Sequence, residues 1–128
     1  MKANELMIGD WVYNCIADIR FQVYPQFFSQ WHNRPEQFGA TIQPISLTPE
    51  ILEKNGFEKQ QFGNFIYEND DVNLRIEFCP KNINYTNGRY DYIDIEKGCV
   101  TITEMPIEFV HELQHALRLC GIDKTIGL

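Results

Sequence analysis

A chain of 128 residues with 44% hydrophobic and 13% aromatic side chains can bury about two-thirds of the surface it exposes when unfolded, which excludes the disordered and fibrous classes. Its net charge is −7, and its 11 Lys and Arg are scattered, which argues against the clustered positive surface that displaces counterions from a nucleic acid. No stretch approaches a membrane span and the first ten residues hold no apolar run of signal-peptide length, so a cytoplasmic protein of one domain, residues 1–128, is expected.

The Leu6–Tyr13 segment reads as a turn at Gly9-Asp10 feeding a strand. Ile19, Phe21 and Val23 alternate with Arg20, Gln22 and Tyr24, the period of two that marks a half-buried strand. A third strand is expected within Gly39–Leu47, where Pro44 suits an edge or a bulge. Three such strands suggest a small curled, SH3-like antiparallel sheet. Between the second and third lie Tyr24, Phe27, Phe28 and Trp31 at helical spacing. Two readings of Pro25–Phe38 are open: a short amphipathic helix that lids the sheet, or an exposed patch through which Phe27, Phe28 and Trp31 recognise a protein partner.

Thr48 then offers an N-cap, Pro49 a first helical residue and Glu50 a charge matched to the helix dipole. Asn55-Gly56 supplies the stop, which predicts a short middle helix from Pro49 to Lys54 or Asn55. A β-meander is expected next. It comprises a weak strand in Phe57–Phe62, a second in Asn64–Glu68, a turn at Asn69-Asp70-Asp71 and a strong alternating strand on Val72, Leu74, Ile76 and Phe78. A loop over Pro80–Arg89 with Asn87-Gly88 follows, then a strand on Tyr90–Ile95 and a hairpin turn at Lys97-Gly98 into Cys99–Thr103. From Pro106, Phe109, Val110, Leu113, Ala116, Leu117 and Cys120 form one apolar helical stripe that ends at Gly121. The expected class is therefore α+β, with a C-terminal helix packed on the sheet. The cysteines Cys15, Cys79, Cys99 and Cys120 form no C-x-x-C pair and read as reduced thiols, mostly packed as small hydrophobes.

One motif could carry chemistry. His111-Glu112-Leu113-Gln114-His115 matches His-Glu-x-x-His, in which two imidazoles one helical turn apart share a zinc ion and the glutamate activates its water. Four features weigh against it. A catalytic zinc needs a third protein ligand, yet Arg118 and Gly121 occupy the positions where a Gly and a His would continue the pattern. Asp123 is the one carboxylate downstream. At about 100° per residue, both histidines fall roughly 160° from Leu113, on the face expected to meet solvent. And 128 residues leave little room for a two-lobed cleft. His32 could in principle join the pair, but nothing in the sequence brings it there. Ser29 and Ser46 lack a nucleophile context. Glu68, Asp70 and Asp71 lack calcium-loop spacing. Tyr85, Tyr90 and Tyr92 fit a sheet better than a base-stacking platform.

Three blocks carry a resemblance. Met1–Leu6 with Ile8-Gly9-Asp10-Trp11-Val12, Pro44–Phe57, and Val110-His111-Glu112-Leu113-Gln114 resemble the opening, middle and last helix of small uncharacterised proteins of Bacteroides-type gut bacteria and their phages or mobile elements. About half the chain is covered, and Pro25–Phe38 lies outside. The resemblance implies a phage- or mobile-element-related accessory protein without an assigned activity. Its last-helix pattern looks like V-H-x-L-Q, not a zinc motif. The expected function is thus a non-catalytic protein-binding module without a cofactor, whose partner is an unidentified protein or a second copy, with neither nucleic acid nor membrane. The alternative is a minimal zinc metallopeptidase with His111 and His115 as ligands and Glu112 as base.

Overall fold

The computed structural model describes residues 1–60, 64–69, 72–77, 92–97 and 100–128. The expected turn residues Asp70-Asp71, the loop with Asn87-Gly88, Gly98, Cys79, Cys99, Tyr85 and Tyr90 lie outside the described residues. The chain forms two compact units. One comprises Met1–Ser46 and Phe109–His115, the other Leu47–Glu108 and Ala116–Leu128. Mixed helix and antiparallel sheet make the class α+β. No described helix is long and apolar enough to cross a membrane.

The first unit opens with a 3-10 turn at Ala3–Glu5. A β-turn follows, closed by Asp10 N–H donating to the Met7 carbonyl at 3.1 Å. Gly9 sits at its third position with φ +91°, the conformation a type II turn demands and a side chain resists. Strand β1 (Trp11–Asn14) then pairs antiparallel with β2 (Ile19–Gln22) on one side and β3 (Ile42–Pro44) on the other, in the order β2-β1-β3. The sheet does not close into a barrel among the described residues, so the SH3-like expectation is corrected. Two short helices, not a third pairing, lie between β2 and β3 in the chain. They are α1 (Phe27–Asn33) and α2 (Pro35–Thr41). Arg34 separates them with φ −138° and ψ 60°, because the ring of Pro35 disfavours a helical residue before it.

These helices overturn the idea of an exposed aromatic patch. Phe27 is fully buried, Trp31 is buried and Phe28 is half-buried. The Phe27 ring meets Phe28, Trp31 and Phe38 edge-on at centroid distances of 5.6–5.7 Å, a favoured aromatic geometry. The three residues belong to a core with Leu6, Val12, Val23 and Ile42. The alternation of β2 is only partly realised. Val23 is buried and Phe21 packs against the core, whereas Ile19 lies beyond it and is 52% exposed.

In the second unit, α3 (Pro49–Lys54) begins as expected, with Thr48 Oγ1 accepting the Ile51 N–H at 3.3 Å. It ends at Gly56, φ +85°. Gly56 N–H donates to Glu53 O and Phe57 N–H to Leu52 O, the paired bonds of a Schellman stop, with buried Leu52 and Phe57 as its apolar contact. Strands β4 (Glu58–Lys59), β5 (Asn64–Asn69), β6 (Val72–Glu77), β7 (Tyr92–Lys97) and β8 (Val100–Pro106) pair in sequence order, which is the meander. Phe65, Leu74, Ile76 and Ile95 are buried in it among the described residues.

Helix α4 spans Val110–Leu119, four residues later than Pro106 suggests. Pro106 instead ends β8 opposite Tyr92, a strand-end position that tolerates the missing N–H as well as a helix start does. The stop is again a Schellman pair, Gly121 N–H to Arg118 O and Ile122 N–H to Leu117 O, with Gly121 at φ +69°. Cys15 is exposed and Cys120 half-buried, so neither described thiol is the packed core residue expected.

The C-terminal tail is held by Asn55. Its Nδ2 donates to Gly127 O at 2.8 Å and its Oδ1 accepts the Gly127 N–H at 2.8 Å, while Nδ2 also reaches Ile51 O at 2.7 Å. Asn55→Ala removes these partners from half-buried backbone groups, at a cost of about 0.5–1.5 kcal/mol for each lost hydrogen bond. Urea unfolding should show that loss at an unchanged denaturant slope. Phe27→Ala opens a cavity in the first unit, and the same measurement should read a loss of about 3–5 kcal/mol.

Candidate functional site

The His-Glu-x-x-His segment is the first turn and a half of α4. Phe109 precedes the helix and its carbonyl accepts from the Glu112 and Leu113 N–H groups at 3.1 and 3.3 Å. Glu112 Oε1 accepts the Phe109 N–H at 2.9 Å, one half of a capping box. The helix start is tied to the segment after β3, because Val110 N–H donates to Ile45 O at 2.8 Å and Ser46 bridges Phe109.

Gln114 and His115 then bind the Met7–Trp11 segment. Gln114 Oε1 accepts the Trp11 N–H at 2.8 Å and its Nε2 donates to the Gly9 carbonyl at 3.0 Å, so one carboxamide satisfies a donor and an acceptor of the turn leading into β1. Asp10, between them, is fully buried. Its Oδ2 accepts the Met7 N–H at 2.7 Å and lies 2.6 Å from His115 Nε2. A carboxylate accepts only, so the network assigns the proton to Nε2.

This arrangement corrects the expectation that both histidines face solvent. His111 is buried at 5% exposure and His115 is half-buried. The helical wheel took Leu113 as the centre of one apolar stripe. In the structure Val110, His111, Leu113, Gln114, Ala116 and Leu117 are all buried, an arc of roughly 220° at about 100° per residue. Burial extends past the apolar residues because Gln114 brings its own hydrogen-bond partners. His111 lies at the edge of that arc, with its ring stacked on Phe109 (centroids 5.8 Å, 8°) and 5.6 Å from the His115 ring.

The two histidines, Glu112, Glu5 and the side chains of Met1 and Met7 line a cleft of about 700 Å³ in the first unit. His32 is exposed on α1 and does not join it. Phe27, Phe28 and Trp31 belong to the core instead. The residues that sequence reasoning missed are Asp10, read as a turn residue, and Gln114, read as an uncharged helix residue.

As a zinc peptidase site the donors fit poorly. His115 Nε2 is held by Asp10, and Glu112 caps its own helix. No group of three His, Cys, Asp or Glu converges among the described residues. Comparison with protein-family models, with curated proteins and with solved structures finds no match.

Burial holds the His111 pKa below its ordinary 6.5, and the neighbouring His115 adds to this. Glu112, Asp10 and Glu5 act in the opposite sense. A histidine depressed in the folded state binds fewer protons there than in the unfolded chain, so stability rises with pH through this window. The folded state should lose stability as pH falls below about 6.5. Chemical unfolding at pH 7.5, 6.5 and 5.5 checks this, and His111→Asn should flatten that part of the slope.

Proposed function

We propose that the chain is a non-catalytic protein-binding module, an accessory protein of the phage- or mobile-element-related kind that its three blocks resemble. The observation that supports this most is the use of the motif's polar groups. Glu112 caps α4, Gln114 pairs with Gly9 and Trp11, and His115 is held by Asp10. A general base must reach a proton on substrate, and here the glutamate that would act is spent on the helix start.

With the aromatic segment in the core, the contact surface moves to the β1–β2 hairpin. Strand β2 is an edge strand with no neighbour on its outer side among the described residues. Ile16 at the hairpin tip is 78% exposed, and Ile19 on β2 is also exposed. An unpaired edge beside exposed aliphatic residues suits an added strand from a partner, whose main chain supplies the hydrogen bonds while its side chains meet the isoleucines. The partner is therefore a protein that offers an extended segment.

Two measurements test this reading. Incubated with zinc and an unfolded protein substrate, the wild type should cleave no faster than Glu112→Gln; cleavage that the substitution abolishes would establish the peptidase instead. An Ile16→Asp/Ile19→Asp variant should fold normally yet lose at least about tenfold in affinity for any specific partner captured by the wild type, a loss of about 1.4 kcal/mol. Equal capture by both would remove the hairpin as the contact surface.

A further inference from the structure

We infer that His111 and His115 form a two-imidazole site for a late first-row divalent metal ion at the wall of the cleft, with Asp10 orienting one of them from behind. This is binding without hydrolysis, and it does not rest on the protein-partner reading. The two rings stand one helical turn apart, with centroids 5.6 Å from one another and planes inclined at 73°. Two imidazoles that share an ion at metal–nitrogen distances of about 2.0–2.1 Å have centroids roughly 5 Å apart, so the pair is close to the spacing that one ion requires.

The proton assignments favour the same conclusion. Asp10 Oδ2 accepts the hydrogen bond of His115 Nε2–H at 2.6 Å, which leaves the neutral ring's Nδ1 with a lone pair for a ligand's role. A carboxylate behind a metal-binding imidazole fixes its tautomer and raises its basicity. His111 contributes the second observation. It is more than nine-tenths buried, and its Nδ1 finds no hydrogen-bond partner among the described residues. A buried ring nitrogen without a partner is costly, and a metal ion is one partner that would satisfy it.

The cleft supplies access and charge. Glu5 and Glu112 line it and favour a cation, and Met1 and Met7 line it as well. No three His, Cys, Asp or Glu converge among the described residues, so water completes the coordination and the site is weaker than a closed four-ligand centre. Imidazole donors select the later ions, with Cu²⁺ held more tightly than Ni²⁺ or Zn²⁺, whereas Mg²⁺ prefers oxygen ligands.

The test is calorimetric titration of the tag-free full chain with Cu²⁺, Ni²⁺, Zn²⁺ and Mg²⁺ separately, alongside melting curves. One late ion per chain is expected, with Cu²⁺ strongest, a raised melting temperature, and no binding of Mg²⁺. His115→Gln and His111→Gln should each abolish stoichiometric binding. Asp10→Asn should weaken it by about 10–100-fold, and His32→Gln should leave it unchanged. Circular dichroism of each variant separates lost binding from lost fold; if His111→Gln does not fold, the half-buried His115 carries the test. Absence of stoichiometric binding, binding that persists in folded His115→Gln, or binding lost in His32→Gln would each overturn the site.

Discussion

The carboxamide of Gln114 joins segments of chain 103 to 105 residues apart, since its partners are the Trp11 N–H and the Gly9 carbonyl. Closing a loop of about 105 residues costs about 2 kcal/mol more than closing one of 10, and a single hydrogen bond returns about 1 kcal/mol net. One bond cannot hold this junction. Gln114 makes two and His115 adds a third through Asp10. The last helix thereby supplies hydrogen bonds that the start of β1 would otherwise take from another strand. The Val12↔Pro44 and Val12↔Phe21 pairings then set that strand's register on both sides.

The second unit uses the same device. Asn55 presents its amide to both groups of Gly127 and so fixes the tail 72 residues away. In each unit a buried carboxamide, 7% exposed in both cases, acts as a two-pronged substitute for a strand neighbour. A carboxamide suits this because it carries a donor and an acceptor side by side and no charge to desolvate. A carboxylate in the same position would satisfy the N–H and repel the carbonyl.

Local chemistry was legible wherever a residue acts on its own neighbours. Thr48, Pro49 and Gly56 delimit α3 as their types require, Gly9 takes the left-handed turn and Gly121 stops α4. The alternation in Val72–Ile76 described a strand of the meander correctly. Failures began where burial is decided by something distant in sequence. Phe27, Phe28 and Trp31 carry the same spacing whether they lid a core or face a partner, and only the presence of Leu6, Val12 and Val23 beneath them settles it. Pro106 fits a helix start and a strand end equally well. The face of His111 and His115 was misread for a related reason. The wheel weighs hydrophobicity, so it gave Gln114 no part in the core, yet Gln114 is buried because Gly9 and Trp11 bind it. The cavity beside the histidines was not legible either, because it is formed against the Ala3–Glu5 turn and Met7, a short stretch with no pattern of its own.

Along α4 the polar residues divide by how completely their needs are met. Gln114 uses both ends of its amide. Glu112 and His115 each have a defined hydrogen bond, and Asp10 serves two donors at once with one oxygen. His111 does not follow this rule: its Nδ1 is as deeply buried as its neighbours' atoms and is unpaired among the described residues. Leaving such an atom unmade costs about 1–3 kcal/mol, a large share of the stability of a small domain. Replacing the imidazole by an aliphatic side chain of similar size would remove that cost but would give up the ring stack on Phe109. His111 thus stands apart from the polar residues beside it, one helical turn from a second imidazole that a carboxylate orients.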